Sequence, residues 1–234
     1  MDALKISRLH AYYGKAHILQ GVDLAIPSGR VAGLFGRNGA GKTTLLKSIM
    51  NLELRVEGEI SLFGQSIHGM DSDKRARLGI AFMSQEMRVF PDLSVMENCR
   101  VAANVVATPR SFDEVVEVIP ELREHVHRPA GRLSGGQQQL VAMARCLTMN
   151  TRMLMMDEPT EGLMPRLVDR IGEIVCAIAR EKGVTVLLVE QNVALGLASC
   201  ETIHFMEKGR IIDSATPAEI ERNGLLDKYL GVRA

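Results

Sequence analysis

Residues 36–43 read Gly36-Arg37-Asn38-Gly39-Ala40-Gly41-Lys42-Thr43, and the reading of the whole chain turns on them. They fit the pattern GxxxxGK[ST]. On one side lies a short apolar run, Val31-Ala32-Gly33-Leu34-Phe35. On the other lies Thr44-Leu45-Leu46-Lys47-Ser48-Ile49-Met50, at helical spacing. The apolar run suits a strand buried on both faces. Glycines let the loop curl so that its N–H groups face phosphate oxygens, and the helix start behind it adds a partial positive charge. Lys42 is expected to reach β- and γ-phosphates, and the Thr43 hydroxyl to sit on Mg²⁺. Gly36, Asn38, Gly39, Ala40, Gly41 and Thr44 complete the expected binding loop. A Gly-rich turn carrying a solvated lysine is the alternative, and the strand-loop-helix context argues against it.

Outward from this loop, the first thirty residues alternate apolar and polar, with a turn at Pro27-Ser28-Gly29, as antiparallel strands do. Residues 57–67, EGEISLFGQSI, read as a further hairpin or edge strand. The pattern is helix-like from Leu93 to about Glu124, and residues 92–133 are expected to form an inserted helical lobe. A long helix is expected after Gly135, a buried strand at Met153–Asp157, a helix over about 165–181 and an apolar strand at Val184–Val189. Two last strands are expected around Lys208-Gly209. Strands alternating with helices predict a parallel sheet with crossovers. The expected fold is α/β: one domain over 1–234, with a phosphate-loop core (1–91 and 134–234), an antiparallel β part and the helical lobe. The Met153–Met156 run ends in Asp157-Glu158, and strand ends in open α/β sheets face the ligand crevice. Asp157 is placed to hold Mg²⁺, and Glu158 to polarise an attacking water.

Composition narrows the class. In 234 residues, Lys+Arg 28 balance Asp+Glu 28, with 46% hydrophobic and 24% charged residues. That is the balance of an ordinary globular protein, and no basic excess suggests a nucleic-acid partner. Cys99, Cys146, Cys176 and Cys200 lie far apart and form no CxxC pair, so buried free thiols are expected. The N-terminal MDALKISRLH lacks an apolar h-region, and no run of 18 apolar residues occurs. A cytosolic protein is expected, attached to a membrane only through partners. His204 and the other histidines read as structural or surface residues.

Leu133-Ser134-Gly135-Gly136-Gln137 lies between the two motifs. As a bare pentapeptide it also suits a helix cap. In order with the phosphate loop, Gln85 and the acidic strand end, it resembles the signature of ABC-type ATPases, over residues 4 to about 230. The resemblance implies that ATP and Mg²⁺ are bound and ATP is hydrolysed. It implies that Ser134, Gly135, Gly136 and Gln137 close the ATP site of a second, head-to-tail cassette. Tyr13, in Tyr12-Tyr13-Gly14-Lys15, matches the aromatic that stacks on adenine; a core strand aromatic is the alternative. Gln85, in Phe82-Met83-Ser84-Gln85, matches the loop glutamine that touches Mg²⁺ or water and senses the membrane partner. Arg88-Val89-Phe90-Pro91-Asp92-Leu93-Ser94-Val95-Met96-Glu97-Asn98 is similar to a family segment next to the groove for the membrane subunit.

Two positions depart from the common pattern. Thr160-Glu161-Gly162-Leu163-Met164-Pro165 stands where SALD or SGLD is usual. Gln191, in Val189-Glu190-Gln191-Asn192, stands where a switch histidine is usual. Glutamine hydrogen-bonds phosphate and water but carries no proton charge. EGLxP and LLVEQN resemble the ATPases of branched-chain amino-acid importers and of their urea and short-chain amide relatives. This implies a second ATPase, usually a different chain, two integral-membrane permeases and, indirectly, a periplasmic binding protein, at the cytoplasmic face of the inner membrane. An exporter subunit and a non-transport ABC ATPase acting on DNA or the ribosome are the alternatives. The latter typically carry coiled coils or paired cassettes, and neither is present here.

Overall fold

The computed structural model describes residues 1–85 and 89–231, so Arg88 lies outside the described residues. Within them the chain forms two sheets. The first is antiparallel. β1 (Asp2–Tyr13) and β2 (Ala16–Pro27) make a long hairpin, and β4 (Arg55–Leu62) with β5 (Gln65–Ser66) adds a second one, in the order β2-β1-β4-β5. The hairpins expected from alternation are therefore present. One face is apolar: Leu4, Ile6, Leu9 and Ala11 of β1 are buried together with Leu19, Val22, Leu24 and Ile26 of β2.

The second sheet has the order β10-β9-β3-β8-β7-β6. Its strands β3 (Val31–Phe35), β6 (Ile80–Met83), β7 (Met153–Asp157), β8 (Thr185–Val189) and β9 (Thr202–Glu207) run parallel. β10 (Arg210–Ala215) closes one edge antiparallel. Every residue of β3, β7 and β8 is buried, which is why these strands read as continuous apolar runs instead of alternating ones.

Pleating then divides their side chains between two cores. Met153, Met155, Leu187, Val189, Ala32 and Leu34 face α1 (Lys42–Met50) and the antiparallel sheet. Leu154, Met156, Val186, Leu188, Val31 and Phe35 face α5 (Gly135–Thr148) and α6 (Pro165–Lys182). Between β6 and α5 the chain forms α3 (Val95–Ala103) and α4 (Phe112–Val118), each opened by a reciprocal serine–glutamate cap, Ser94 with Glu97 and Ser111 with Glu114. Val95, Cys99, Val115, Ile119 and Leu122 join the same apolar cluster as α5, so this segment is packed onto the core.

α6 shows how local signals set a helix. Pro165 opens it, Gly183 closes it at φ 66°, and Val168, Ile171, Ile174, Val175 and Ile178 form its buried stripe. Short helices α2 (Ser72–Arg77), α7 (Val193–Ser199), α8 (Pro217–Asn223) and α9 (Leu225–Leu230) complete the chain. The four cysteines are free, as expected. Burial pushes Cys99 up to about 11 and Cys146 and Cys200 up to about 12, which keeps those thiols protonated and inert.

Candidate functional site

Strand register builds the site. Met83 of β6 lies opposite Met156 of β7, Asp157 opposite Val189 of β8, and Val189 opposite Leu34 of β3. The segments leaving these four strands therefore emerge in one row at the carboxyl edge of the sheet, where ligands bind in open α/β folds. They carry Gln85, Asp157-Glu158, Glu190-Gln191 and the loop that begins at Gly36. Two backbone bonds hold the row beyond the regular ladder: Glu158 donates to the Val189 carbonyl at 2.9 Å and Glu190 to the Leu34 carbonyl at 3.4 Å.

The result is a cleft of about 480 Å³ lined by Ile18, Asn38, Gly39, Ala40, Gly41, Lys42, Thr43, Thr44, Gln85, Glu158, Glu161 and Gln191. Gly36 lies in an adjoining hollow with Arg37, Asn38, Glu190 and Gln191. Gly41 caps α1 at φ 108°, a conformation that L side chains rarely adopt, so glycine is required there. No side chain caps this helix and its first turn carries no acid. Its first N–H groups and its positive dipole end are left for an anion.

Lys42 is 5% exposed. Its Nζ donates to the Gly36 carbonyl at 2.8 Å and lies 3.5 Å from Glu158 Oε1. Glu158 takes φ 48°, a strained backbone for a residue with a side chain. Its Oε1 also accepts from Gln191 Nε2 at 2.8 Å. Gln85 donates to Glu161, so its own amide oxygen remains an acceptor.

Asp157 lies beneath this group, 3% exposed. Burial pushes its carboxyl up from the ordinary value and the Glu158 charge adds to this, while a hydrogen bond from Thr43 and the charge of Lys42 pull it down. Among the described residues its Oδ1 has no hydrogen-bond partner. A buried, unsatisfied carboxylate oxygen beside a threonine hydroxyl is a hard-oxygen donor set that fits Mg²⁺.

The remaining expected residues lie elsewhere. Tyr13 is 41% exposed at the end of the β1–β2 hairpin and does not line the cleft; that hairpin contributes Ile18. Ser134, Gly135, Gly136 and Gln137 are also outside it, at the start of α5. There Ser134 Oγ accepts from the Gln137 amide at 3.3 Å, and Gln137 Oε1 accepts from the Ser134 amide at 3.1 Å. Gln137 Nε2 meets His125 Nε2 at 2.9 Å. A Cβ on Gly136 would collide with Leu167 of α6, whereas Gly135 has open space around it.

Two residues went unread in the sequence: Glu161, which holds Gln85, and Glu190, which is 3% exposed and accepts from the backbone of the loops after β7 and β8. Glu190 carries the same signal that exposed Asp157, an acid directly after a run of four apolar residues, Met153–Met156 in one case and Val186–Val189 in the other.

A protein-family profile described as "ABC transporter" matches residues 19–161. The chain is 36% identical, over 96% of its length and 97% of the relative's, to the "Probable branched-chain amino acid transport ATP-binding protein LivF" of Archaeoglobus fulgidus. It is 36% identical, over 97% of its length and 99% of the relative's, to the "High-affinity branched-chain amino acid transport ATP-binding protein BraG" of Pseudomonas aeruginosa. Among solved structures, a nucleotide-free ATP-binding cassette from an ABC transporter superposes with a TM-score of 0.85 at 27% identity, covering 98% of each chain. The ADP conformation of another such cassette matches with a TM-score of 0.85 at 26% identity, covering 99% of this chain and 98% of that one. The phosphate loop, the acidic strand end and these full-length matches agree: the chain belongs to the ABC transporter family, as one of its ATP-binding and ATP-hydrolysing cassettes.

Proposed function

We propose that this cassette powers an importer of branched-chain amino acids or of related small amides or urea. The observation that carries the catalytic part is the position of Glu158, 3.5 Å from Lys42 and 2.8 Å from Gln191 at the mouth of the phosphate loop. The full-length similarity to branched-chain amino-acid transport ATP-binding proteins supports the substrate class.

ATP enters with its phosphates on the open start of α1. Amides of Gly39, Ala40, Gly41, Lys42, Thr43 and Thr44 surround the phosphates, and Lys42 exchanges the Gly36 carbonyl for β- and γ-oxygens. Glu158 accepts a proton from an in-line water, while Gln191 and Gln85 orient that water. Thr43, Gln85 and Asp157 would hold Mg²⁺, which when bound neutralises developing phosphate charge. Tyr13, at the exposed hairpin end, stacks on adenine as a second cassette closes the site.

That second cassette, a different chain or another copy, presents its own Ser134, Gly135, Gly136 and Gln137 to the γ-phosphate. The open space around Gly135 supports a close approach there. Each of the two cassettes takes one permease, here on the apolar groove of Phe82, Val101, Val105 and Met149 beside Arg145, which adjoins the strand leading to Gln85. A periplasmic binding protein delivers the substrate to those permeases. The cassette then attaches at the cytoplasmic face through the permeases; no helix among the described residues is long and apolar enough to cross a membrane.

The test is reconstitution with co-purified permeases in vesicles, following ATP-driven uptake of leucine and of urea in the presence of the binding protein. Uptake that stops with Glu158→Gln supports the reading. Outward transport, or a cassette that co-purifies with no permease, refutes it.

A further inference from the structure

Glu190 is buried at the edge of the phosphate cleft, and no lysine or arginine forms an ion pair with it among the described residues. A buried carboxylate without a counter-cation is costly unless donors surround it. Here they come from two separate segments. Oε1 accepts from the Thr160 amide at 3.1 Å and from the Thr160 hydroxyl at 2.6 Å. Oε2 accepts from the amides of Gln191 at 3.0 Å and Asn192 at 3.2 Å. One carboxylate thus fastens the loop after β7 to the loop after β8, beyond the point where the sheet's own ladder ends at Asp157 and Val189.

Both loops carry cleft residues. Gln191 reaches Glu158, and Glu161, the residue after Thr160, accepts from Gln85. The links run from Gln85 through Glu161 and Thr160 to Glu190, and on through Gln191 to Glu158. We propose that Glu190 is a positioning residue for hydrolysis: it holds Gln191 against Glu158 and keeps the Thr160–Glu161 segment in register with it. This rests on the reading of Glu158 and Gln191 given above. Gln191 cannot use charge to fix itself as an imidazolium does, so its aim depends on the backbone that presents it. Glu190 clamps that backbone from the adjacent residue.

The test uses Glu190→Gln in the purified cassette assembled with its permeases. Glutamine has nearly the same shape, but one end becomes an NH₂ group facing N–H donors, so one of the two loops loses its acceptor. Turnover is expected to fall about 10- to 100-fold, the size of one or two lost charge-assisted hydrogen bonds. KM for MgATP and the affinity for a fluorescent ATP analogue are expected to stay within about twofold, because no contact to the phosphate-binding amides changes.

The deciding measurement is the double variant. If Glu190 acts through Gln191, Glu190→Gln slows a Gln191→Ala background little or not at all. Equal slowing in both backgrounds overturns the proposal, as does a rise in KM with kcat unchanged. Wild-type turnover of Gln191→Ala alone refutes the reading of Gln191, and the proposal falls with it. Should Glu190→Gln fail to fold, Glu190→Asp keeps the charge but is too short to span both loops, and the same cycle is read with it.

Discussion

The α1 and α5 helix starts both carry glycines, in the loop before α1 and in the first turn of α5. The two starts are left in different states. At α1 no side chain caps the first turn, and Gly41 curls the backbone so that the amides face the cleft. At α5 the Ser134 hydroxyl and the Gln137 amide oxygen satisfy each other's backbone N–H groups, and His125 steadies Gln137. An open helix start is an anion receptor by itself. At α5 two N–H groups, those of Ser134 and Gln137, are satisfied within the chain, and Gly135 and Gly136 stand next to them. The two helix starts therefore differ in how much of their first turn is left for a phosphate: all of it at α1, and only part of it at α5.

The strongest way to break this contrast is Lys42→Ala. It is expected to lower ATP turnover by about a thousandfold or more and to abolish nucleotide binding by calorimetry, because the cation inside the open loop is lost. Retained binding would mean that the amides of the uncapped α1 start hold the nucleotide without the lysine's charge. Glu158→Gln leaves that receptor intact. Turnover is expected to drop about 10²- to 10³-fold with ATP still bound, and gel filtration with ATP should show a long-lived dimer.

Asp157→Asn sharpens the contrast through stability. Burial pushes the Asp157 carboxyl above its ordinary value, so its ionised form opposes folding. The chain is relatively more stable below that ordinary value and loses this advantage as pH rises through the raised one. The amide should therefore raise the Tm of the nucleotide-free protein at neutral pH while removing Mg²⁺-dependent turnover. A lower Tm in that variant would contradict the burial argument.

Ser134→Ala gives the smallest effect on the isolated chain. Loss of the cap at α5 is expected to lower stability by about 1 kcal/mol in urea unfolding. ATP binding to the single cassette should be unchanged, since Ser134 lies outside its cleft, while turnover of the assembled pair falls. Weaker binding to the isolated cassette would place Ser134 in its own site and remove the difference between the two helix starts.

Much of this was legible in the residues. The parallel strands showed themselves as apolar runs because both of their faces are covered, and the antiparallel hairpins as alternation because one face is. The short helices α2, α7, α8 and α9 went unread, since six or seven residues hold too few turns for a period to stand out. β6 was missed as well: four residues, Ile80–Met83, are too few to separate a strand from a buried turn. In the cleft, Lys42, Thr43, Gln85, Glu158 and Gln191 were expected together and line it together. Tyr13 was expected at the nucleotide and lies outside the cleft, while the residues from Ser134 to Gln137, expected at the ATP of a second cassette, also lie outside the cleft of their own chain.

By itself the sequence determined the local chemistry: a glycine loop that can curl, a lysine and threonine at its end, and acids after buried strands. Each depends on neighbours in the chain and on backbone freedom, which residue type sets directly. Only the tertiary structure decided that Glu190 clamps Thr160 to Gln191, that Glu161 holds Gln85, and that Leu167 leaves no room for a side chain at Gly136. Glu190 and Thr160 stand 30 positions apart, and Gln85 and Glu161 stand 76 apart. They meet because the sheet places β8 beside β7 and β7 beside β6, an order set by how two buried faces are filled and not by any pattern along the chain.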